Sequence, residues 1–529
     1  MTSRQARRRY AVGRVRAATR RRRSPRVAII GAGFGGLGAA VALRSAGIDD
    51  LVIVDGEDGV GGTWRRNTYP GAACDVQSHL YSFSFALNPN WSRTYARQPE
   101  ILAYLESVVD DFDLRRHLIL RTRVRRARWN EDARHWEVQL QQADGDTSTL
   151  VADVVVSAAG LFGASKLPDI EGLAGYRGHL MHTSAWDRDV DLAGRKVGVI
   201  GTGASAVQAV PELARIAARL TVFQRTPPWM VPKDDRAYSA GELARFRRHP
   251  WAARRERWRV WKQFHDFTGN ALDDPTAAGR AQIAASFLER TVPDERLRRA
   301  LTPDYPFRCK RVLLGADYYL ALQQEHVELV TDPIARVTET SIVTAGGRVV
   351  DVDAIVCATG FQTSHYLSGI EVIGRDGDSL HERWGEDPSA YLGVAVSGFP
   401  NFFMLYGPNT NQGGNSIVYI LEAGARLVAS AVSRVARRGG DVDVRPDAEK
   451  RYNEELSAAL ERTIWTQCDS YFRSPTGRIV TQWPYTELEY ARRTWRLRRR
   501  DWVHRTGTVP PAGRGSAGAE IDHAADQLA

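Results

Sequence analysis

Cysteine is scarce in this chain of 529 residues, which has four cysteines and no CxxC pair among them. That absence excludes a thiol–disulfide motif of the CxxC kind and a cysteine-rich metal centre. We therefore expect reduced thiols, no metal site and an intracellular, cytoplasmic protein. The four residues are Cys74, Cys309, Cys357 and Cys468.

Long apolar runs are also missing from the sequence. No run of about 18 apolar residues occurs, so the sequence predicts no membrane span. No apolar core of the kind found in signal peptides follows the N-terminal arginines, which argues against a secretory signal. A composition of 43% hydrophobic and 25% charged residues is typical of a globular protein, and this length predicts more than one domain.

Acidic residues are absent from residues 1–26, which carry eleven arginines. Since the net charge of the chain is +10, removing these eleven charges leaves −1 on the other 503 residues. The body is therefore near neutral, and the positive charge belongs to one end. Such a block predicts a disordered arm over 1–25, with contact to nucleic acid or lipid as the alternative, and we expect no nucleic-acid partner.

A strand, a glycine turn and a helix follow one another in VAIIGAGFGG, residues 27–36. Gly31 permits a tight turn, Gly33 lets the backbone approach a pyrophosphate, and Gly36 allows close packing of helix on strand. The next apolar strand, LVIVD, ends in Asp55, whose carboxylate can accept hydrogen bonds from ribose hydroxyls. This order predicts a dinucleotide site for an adenosine with a free ribose. The alternative is a glycine-rich turn that binds no nucleotide.

The pattern recurs in VGVIGTGASA, residues 197–206, with Gly201, Gly203 and Ala206 at the corresponding places. Here the following strand leads to Arg225, 19 residues past Ala206, which is the spacing of Asp55 from Gly36. A guanidinium can hold a 2′-phosphate that a carboxylate would repel. The second site therefore suits NADPH, unless Arg225 is merely a solvated arginine at a strand end.

Two such loops indicate an enzyme that holds FAD and draws electrons from NADPH. The apolar strands at 154–160 and 354–361 each end in a glycine turn, as expected where the chain crosses between nucleotide domains. The segment 401–416 reads as strand, turn and the start of a helix at about Ser416. Its N-terminus could face the flavin pyrimidine, or the segment could be an ordinary turn.

The sequence therefore predicts an α/β fold with two Rossmann-like dinucleotide-binding domains (FAD and NADP) and a helical insertion. In the insertion, Trp251, Trp258 and Trp261 are expected to form a stripe of helix packing, with a pocket lining as the alternative. The predicted divisions are an FAD domain at 26–160 and 361–505, a linker at 161–190, an NADP domain at 191–233 and 302–360, an insertion at 234–301, and disordered tails at 1–25 and 506–529.

Two further motifs carry a family resemblance. YRGHLMHTSAWD, residues 176–187, places Gly178, His182 and Trp186 four apart and closes on Asp187. GGTWRRNTYPGAACD spans residues 61–75. With them the chain, over roughly 26–500, resembles the Baeyer–Villiger monooxygenases, which are class B flavoprotein monooxygenases; Tyr176 stands for the usual Phe. The resemblance implies insertion of one oxygen atom from O2 beside the carbonyl of a small-molecule ketone, giving an ester or lactone.

The resemblance also implies site residues. Arg311 is expected over the flavin, where a permanent positive charge would stabilise an anionic oxygenating species, with Asp75 as its partner. Lys310 is expected at the NADP 2′-phosphate. His182 is read as a linker residue that positions the domains, with catalytic and packing roles as alternatives. Tyr69 and Trp64 are expected to wall the flavin, with core packing alone as the alternative. The other predicted cofactor-binding residues are Phe34, Gly62, Thr63, Trp64, Tyr81, Val124, Ala204, Ser205 and Thr226.

Two departures from the family pattern concern the pocket. Ala73 stands where relatives often have Arg, and Tyr471 where many have Trp, so the sequence does not name the ketone. The alternatives are an enzyme that oxygenates nitrogen or sulfur or hydroxylates a biosynthetic intermediate, a flavin disulfide reductase, and a nucleic-acid-binding protein that acts through its arginine arm. The missing CxxC pair argues against the reductase.

Overall fold

The computed structural model describes residues 24–266 and 270–506, so the predicted tails lie almost wholly outside the described residues. In chain order the helices are α1 Phe34–Ser45, α2 Thr63–Arg66, α3 Gln98–Asp111, α4 Ala204–Ala214, α5 Ala240–Arg248, α6 Pro250–Asp266, α7 Ala277–Thr291, α8 Glu295–Ala300, α9 Asp317–Ala321, α10 Leu380–Trp384, α11 Ile417–Arg438, α12 Pro446–Leu460 and α13 Glu487–Thr494.

The described strands are mostly two to five residues long, and three of them have six to nine residues. They are β1 Val27–Ile30, β2 Leu51–Val54, β3 Leu118–Ile119, β4 Thr122–Asn130, β5 His135–Gln142, β6 Thr147–Ala152, β7 Val154–Ser157, β8 His179–His182, β9 Lys196–Ile200, β10 Arg219–Phe223, β11 Met230–Val231, β12 Leu313–Leu314, β13 Val327–Val330, β14 Ile334–Val337, β15 Ser341–Thr344, β16 Val349–Asp351, β17 Ala354–Cys357, β18 Glu371–Ile373, β19 Phe402–Met404, β20 Asp441–Val444 and β21 Trp502–Arg505.

The first large sheet has the order β19-β7-β1-β2-β3, and all its pairs are parallel. The side chains of β1 and β7 are buried along their whole length. One face of the sheet packs against helices such as α1 and α11, and the other packs against strands β4 and β5. Helices α1 and α11 pack on each other beside this sheet. The strand, turn and helix predicted over 401–416 are present as β19 and the start of α11.

The second large sheet has the order β13-β10-β9-β17-β8 and is again wholly parallel. Its edge strand β8 pairs with β17, His179 opposite Ala354 and His182 opposite Cys357. Part of the predicted 161–190 linker is thus a strand of this sheet, because the apolar stretch that contains Met181 completes the edge. The two sheets are the cores of the two predicted Rossmann-like units.

Smaller sheets complete the fold. The strands β18-β4-β5-β6 form a four-stranded sheet, and β14-β15-β16 form an antiparallel sheet of three. β11 pairs with β12 and β20 with β21. The pairing of β11 with β12 connects the two ends of the predicted 234–301 insertion, since β11 precedes it and β12 follows it.

The insertion is helical, as predicted, and contains α5 to α8. A capping box begins α5, in which Ser239 accepts from the backbone N–H of Glu242 and the Glu242 side chain accepts in return. The packing stripe predicted for the tryptophans is wrong, since Trp251 is 57% exposed and Trp258 60% exposed, while only Trp261 packs against the core. Spacing alone could not decide which side of α6 faces the core.

The expectation of reduced thiols is wrong for two of the four cysteines. Cys309 and Cys468 form a disulfide across a sequence separation of 159 residues, whereas Cys74 and Cys357 are free and buried. Local spacing could not report this pairing, because only the tertiary fold brings the two segments together. Within 24–266 and 270–506, no helix has the length and apolar character needed to cross a membrane.

Candidate functional site

The first glycine loop is shaped by contacts that exclude side chains. Gly31 has φ +103°, and a Cβ placed on it would lie 2.5 Å from the carbonyl oxygen of Ala158. A Cβ on Gly36 would lie 1.8 Å from the carbonyl oxygen of Gly31. In the described chain no side chain caps α1, whose N-cap Gly33 is extended, so N–H groups of the first turn are free to donate. The loop therefore fits a pyrophosphate at a helix N-terminus.

Asp55 is held at the end of β2 by two backbone hydrogen bonds. Its Oδ2 accepts from the N–H of Ala32 at 2.6 Å, and its Oδ1 accepts from the N–H of Glu57 at 2.9 Å. Each carboxylate oxygen can accept a further bond. The carboxylate is thus fixed beside the glycine loop with the capacity to accept from ribose hydroxyls.

The segment that begins the second motif lies against this loop. Gly62, with φ +54°, approaches Gly33 so closely that a Cβ on Gly62 would lie 3.1 Å from the Gly33 Cα. Thr63 opens α2, and the indole N–H of Trp64 donates to the Tyr81 hydroxyl at 3.1 Å. Tyr81 also meets the ring of Phe34 edge-on, with centroids 5.1 Å apart.

Val124 differs from the other predicted FAD contacts. It lies in β4 and is buried in a cluster with Ile30 and Val54. Its side chain is therefore part of the core behind the first loop, and its predicted contact with the cofactor stays a prediction.

The second glycine loop repeats the geometry of the first. Gly201 has φ +109°, and a Cβ on it would lie 2.6 Å from the carbonyl oxygen of Ala358. Gly203 and Ala204 are exposed at the start of α4, and no described atom lies within 4 Å of a Cβ built on Gly203. Ala206, in the first turn of α4, is fully buried. The Thr202 hydroxyl donates to the carbonyl of Thr226 at 2.8 Å, which joins the loop to the segment after β10.

Arg225 and Lys310 come together near this loop although 85 residues separate them in the sequence. Burial lowers the pKa of Lys310, and the charge of Arg225 lowers it further, so the two cations are close enough to repel each other. The Lys310 ammonium also lies 4.8 Å from the centroid of the Tyr305 ring. Two neighbouring cations beside an open helix N-terminus form a suitable site for a dianionic phosphate.

Arg311 and Asp75 form an ion pair. The Arg311 Nε donates to Asp75 Oδ2 at 3.1 Å, and Nη2 donates to the same oxygen. Burial tends to raise the pKa of Asp75, but the charge and hydrogen bond of Arg311, aided by Lys233, hold it below its usual value. The pKa of Arg311 is raised by Asp75 in return. Each side chain remains 30% exposed, so the pair faces an opening.

Three more side chains surround this pair. Tyr471, which is 42% exposed, and Tyr406 both add to the raised pKa of Arg311, after the larger effects of Asp75 and burial. Lys233 is among the charges that act on Asp75, and its ammonium lies 3.9 Å from Asp235 Oδ2. Sequence reasoning missed Lys233 and Tyr406, because neither belongs to a recognised motif.

Tyr69 packs against α4 in the core of the second unit, which is the core-packing alternative, and its predicted contact with the flavin stays a prediction. Its hydroxyl donates to Gln208 Oε1 at 2.8 Å, and Gln208 Nε2 donates to the carbonyl of Ala73 at 2.9 Å. Burial raises the pKa of Tyr69 to about 12, against a hydrogen bond from Ser205 that lowers it. The tyrosine therefore lies at the junction of the two nucleotide-binding units, and Gln208 is a junction residue that the sequence did not reveal.

Comparison with known proteins assigns this arrangement to a family. A family model described as pyridine nucleotide-disulphide oxidoreductase matches residues 28–245. A Baeyer–Villiger monooxygenase of Streptomyces coelicolor is 42% identical over 511 residues, which cover 95% of this chain and 96% of that one. A Baeyer–Villiger monooxygenase of Pseudomonas aeruginosa is 42% identical over 478 residues, 89% of each chain. The chain belongs to the Baeyer–Villiger monooxygenases.

A solved structure of a similar enzyme contains two cofactors. A crystal structure of OTEMO in complex with FAD and NADP has a TM-score of 0.79 and 31% identity, and it covers 89% of this chain and 98% of that one. The two glycine loops of the present chain fit these groups, because each presents an uncapped helix N-terminus and positions where a Cβ would collide with backbone.

The signature stretch of this Baeyer–Villiger monooxygenase has a structural explanation. The Tyr176 hydroxyl donates to the carbonyl of Val352 at 2.8 Å, and its ring covers Gly178 so closely that a Cβ there would lie 2.3 Å from the hydroxyl oxygen. His182 is buried, and its Nδ1 lies 2.8 Å from the Ser184 hydroxyl. Trp186 packs against the core of the second unit. The stretch therefore attaches the edge strand β8 to its sheet.

Proposed function

We propose that this Baeyer–Villiger monooxygenase inserts one atom of O2 beside the carbonyl of a small-molecule ketone and so forms an ester or lactone. The observation that supports it most is the Arg311–Asp75 ion pair, which faces an opening. Arg311 directly follows Lys310, the lysine that lies near Arg225. Baeyer–Villiger oxidation requires a permanent positive charge where an anion develops, and Arg311 can provide it.

Each residue of the site has a proposed task. Arg311 remains charged at any working pH and stabilises negative charge that develops on the reacting oxygens. Asp75 fixes the guanidinium through the bonds to Nε and Nη2, and its lowered pKa keeps it ionised at neutral pH. FAD, when bound, supplies the oxygen chemistry after it has accepted electrons from NADPH.

The two loops divide the cofactors between them. Gly31, Gly33 and the N-terminus of α1 hold the FAD pyrophosphate, and Asp55 accepts from the ribose. Gly201, Gly203 and the N-terminus of α4 hold the NADPH pyrophosphate, and Arg225 with Lys310 binds the 2′-phosphate. The predicted FAD and NADP domains each contain one of these loops. A cytoplasmic location stays a prediction.

Water must be kept from the reacting oxygens, since it would divert the reaction to hydrogen peroxide. Tyr406 and Tyr471 present aromatic surface beside Arg311, and both have a pKa raised by burial, so they stay neutral there. Because Tyr471 is 42% exposed, it also borders the opening through which a ketone would enter.

Stopped-flow absorbance tests this function. NADPH-reduced enzyme is mixed with oxygen in the presence of a panel of ketones, and separately with amines and sulfides, and the products are identified. We expect ketones to hasten the reoxidation of the flavin and to yield esters or lactones. Acceleration by amines or sulfides alone, with N- or S-oxides as products, would replace the proposal with nitrogen or sulfur oxygenation; reoxidation that no compound affects, with hydrogen peroxide as product, would refute both.

A further inference from the structure

The disulfide between Cys309 and Cys468 joins two segments that both contribute to the site. Cys309 immediately precedes Lys310 and Arg311, and Cys468 lies three residues before Tyr471. The Cα atoms of the two cysteines are 6.0 Å apart. Tyr471 is among the groups that raise the pKa of Arg311, after the charge of Asp75, so its side chain also lies near the guanidinium.

Little regular structure holds either segment. Residues 302–312 lie between α8 and β12, and Arg308 has φ +71° in a tight turn in which the Cys309 N–H donates to the carbonyl of Pro306 at 3.1 Å. Residues 468–480 lie between a short 3-10 helix that ends at Gln467 and α13. A covalent bond between the two segments therefore adds a restraint where regular structure is limited to a short backbone pairing of Arg473 with Ile479.

The two cysteines differ in burial. Cys309 is fully buried, whereas Cys468 is partly exposed, with the exposed Asp469 beside it. The charge of Asp469 also acts on Lys310 and partly offsets the lowering of its pKa by burial and by Arg225. Cys468, next to the proposed 2′-phosphate site, is therefore the side from which we expect a small dithiol to approach the bond.

We propose that the Cys309–Cys468 disulfide is a positioning crosslink that keeps Lys310 and Arg311 in register with Tyr471, so that its reduction weakens NADPH binding and uncouples NADPH oxidation from oxygenation. Reduction transfers two electrons and two protons from a dithiol to the two Sγ atoms, and the dithiol becomes its own disulfide. Oxidation by hydrogen peroxide reverses it: two thiols and one peroxide give the disulfide and two water molecules. The crosslink's role rests on the proposed roles of Lys310 and Arg311.

The FAD-loaded enzyme is compared before and after treatment with dithiothreitol. Differential alkylation with mass spectrometry should find two free cysteines before treatment, Cys74 and Cys357, and four after it. Titration calorimetry should then show the Kd for NADP⁺ rising about five- to tenfold. In steady-state kinetics of NADPH oxidation, the KM for NADPH should rise in parallel and the kcat should change less than twofold. Hydrogen–deuterium exchange should increase over 306–315 and 466–474, and a larger share of NADPH should end as hydrogen peroxide.

Variants separate the crosslink from side effects of the reagent. The double variant Cys309→Ser/Cys468→Ser should show the weaker NADP⁺ binding without dithiothreitol and should not respond to it. Cys357→Ala, which removes a buried cysteine outside the crosslink, should respond as the parent enzyme does. Reoxidation of the reduced parent by hydrogen peroxide should restore the original Kd, which a merely unfolded segment would not do.

Three results would overturn the crosslink's role. One is an unchanged Kd and unchanged exchange in protein whose four cysteines all alkylate. Another is a dithiothreitol response in the double variant. The third is that Cys309 and Cys468 both alkylate in peroxide-treated enzyme. Because NADP⁺ binding and exchange need no ketone, a failure to form esters would refute the proposed function and leave these readouts to decide the crosslink separately.

Discussion

Arg311 and Asp75 keep each other charged inside the protein. Burial favours the neutral form of a carboxylic acid, yet the pKa of Asp75 is lowered because Arg311 donates two bonds to one of its oxygens. Lysine would supply charge but not a planar guanidinium with two donors aimed at one acceptor. The identity of each partner therefore matters beyond its charge.

Replacing Arg311 by Ala should separate the two half-reactions. NADPH should still bleach the flavin absorbance at a rate within about fivefold of the parent, because the glycine loops are untouched. Ester formation should fall about 100-fold or more, as when a group that stabilises an oxyanion is removed. Arg296→Ala, at an exposed position of α8, is the matched control and should match the parent in both assays. Normal ester yield from Arg311→Ala would contradict the role given to Arg311.

Replacing Arg225 by Ala should change the preference between the two nicotinamide cofactors. A charge-assisted bond to phosphate contributes about 1.5–3 kcal/mol, so the KM for NADPH should rise by roughly 10- to 100-fold. The KM for NADH, which lacks the phosphate, should change less than about twofold. Steady-state kinetics with both cofactors measures this, and an equal loss for both would show that Arg225 does not read the 2′-phosphate.

The residues predicted from sequence were those that local patterns specify. Gly31, Gly36 and Gly201 occupy positions where a Cβ would collide with backbone, so their type is dictated within a few residues of chain. Gln208 and Lys233 act across units, and nothing near them in the sequence indicates their partners. The Cys309–Cys468 pairing was missed for the same reason.

The edge strand β8 shows how a motif can specify an element. Tyr176 lies over Gly178, and its hydroxyl donates to the carbonyl of Val352. These contacts fix the register at which the chain enters β8. The motif is recognisable from the sequence, but its assignment to a linker did not predict the strand β8. An edge strand paired on one side only has a weaker pattern than an interior strand.

Replacing Gly178 by Ala should destabilise this element. The new Cβ would lie 2.3 Å from the Tyr176 hydroxyl oxygen and 2.7 Å from the carbonyl oxygen of Asp353, so the strand or the ring must shift. Overpacking of this kind costs roughly 1–3 kcal/mol of unfolding free energy. Gly175→Ala is the matched control, because no described atom lies within 4 Å of its Cβ. Thermal unfolding compares the two, and equal midpoints would argue against the tight contact.

Helix α6 marks a limit of periodicity. Trp251 and Trp258 are seven residues apart and therefore share one side of the helix, as predicted, but that side faces solvent with Arg254 and Arg255. The opposite side carries Val260, which is fully buried. Hydrophobic spacing predicted the helix correctly. The prediction of its buried side was wrong, because it relied on the large aromatic residues and not on the smaller apolar ones.

At the scale of the whole molecule, the helical insertion packs against the first nucleotide-binding unit around His79. The His79 ring lies 4.6 Å from Phe246 of α5 and 5.5 Å from Tyr238, centroid to centroid. Arg257 of α6 donates to the carbonyls of His79, Leu80 and Ser82. Neither ring nitrogen of His79 has a hydrogen-bond partner among the described residues. A neutral imidazole is therefore required at this junction.

The His79 junction should make the enzyme sensitive to acid. Burial, with smaller contributions from Arg257 and Arg259, lowers the pKa of His79 to about 4 from a usual 6.5, although Glu256 opposes the shift. As pH falls below about 6.5 the unfolded chain takes up a proton that the folded protein refuses. Stability is therefore lost between about pH 6.5 and pH 4, on the order of 2 kcal/mol from pH 7 to pH 5.

His79→Phe removes this titration while it keeps a ring of similar size. The midpoint of urea unfolding, measured from pH 7 to pH 5, should fall less for the variant than for the parent. All other titrating groups are common to both proteins, so the difference between the two profiles isolates His79. Parallel profiles would show that the imidazole stays accessible to protons in the folded enzyme.

The contact of Tyr69 and Gly71 with α4 sets a rule for recombining this enzyme with its relatives. A Cβ on Gly71 would lie 2.3 Å from the carbonyl oxygen of Gln208, so a short piece of the first unit is shaped to one helix of the second. A chimera that exchanges 191–360 alone would place a foreign helix against a native loop. In a chimera, the segment 69–75 and α4 should therefore come from the same parent enzyme. Crossover points for domain exchange should lie outside both.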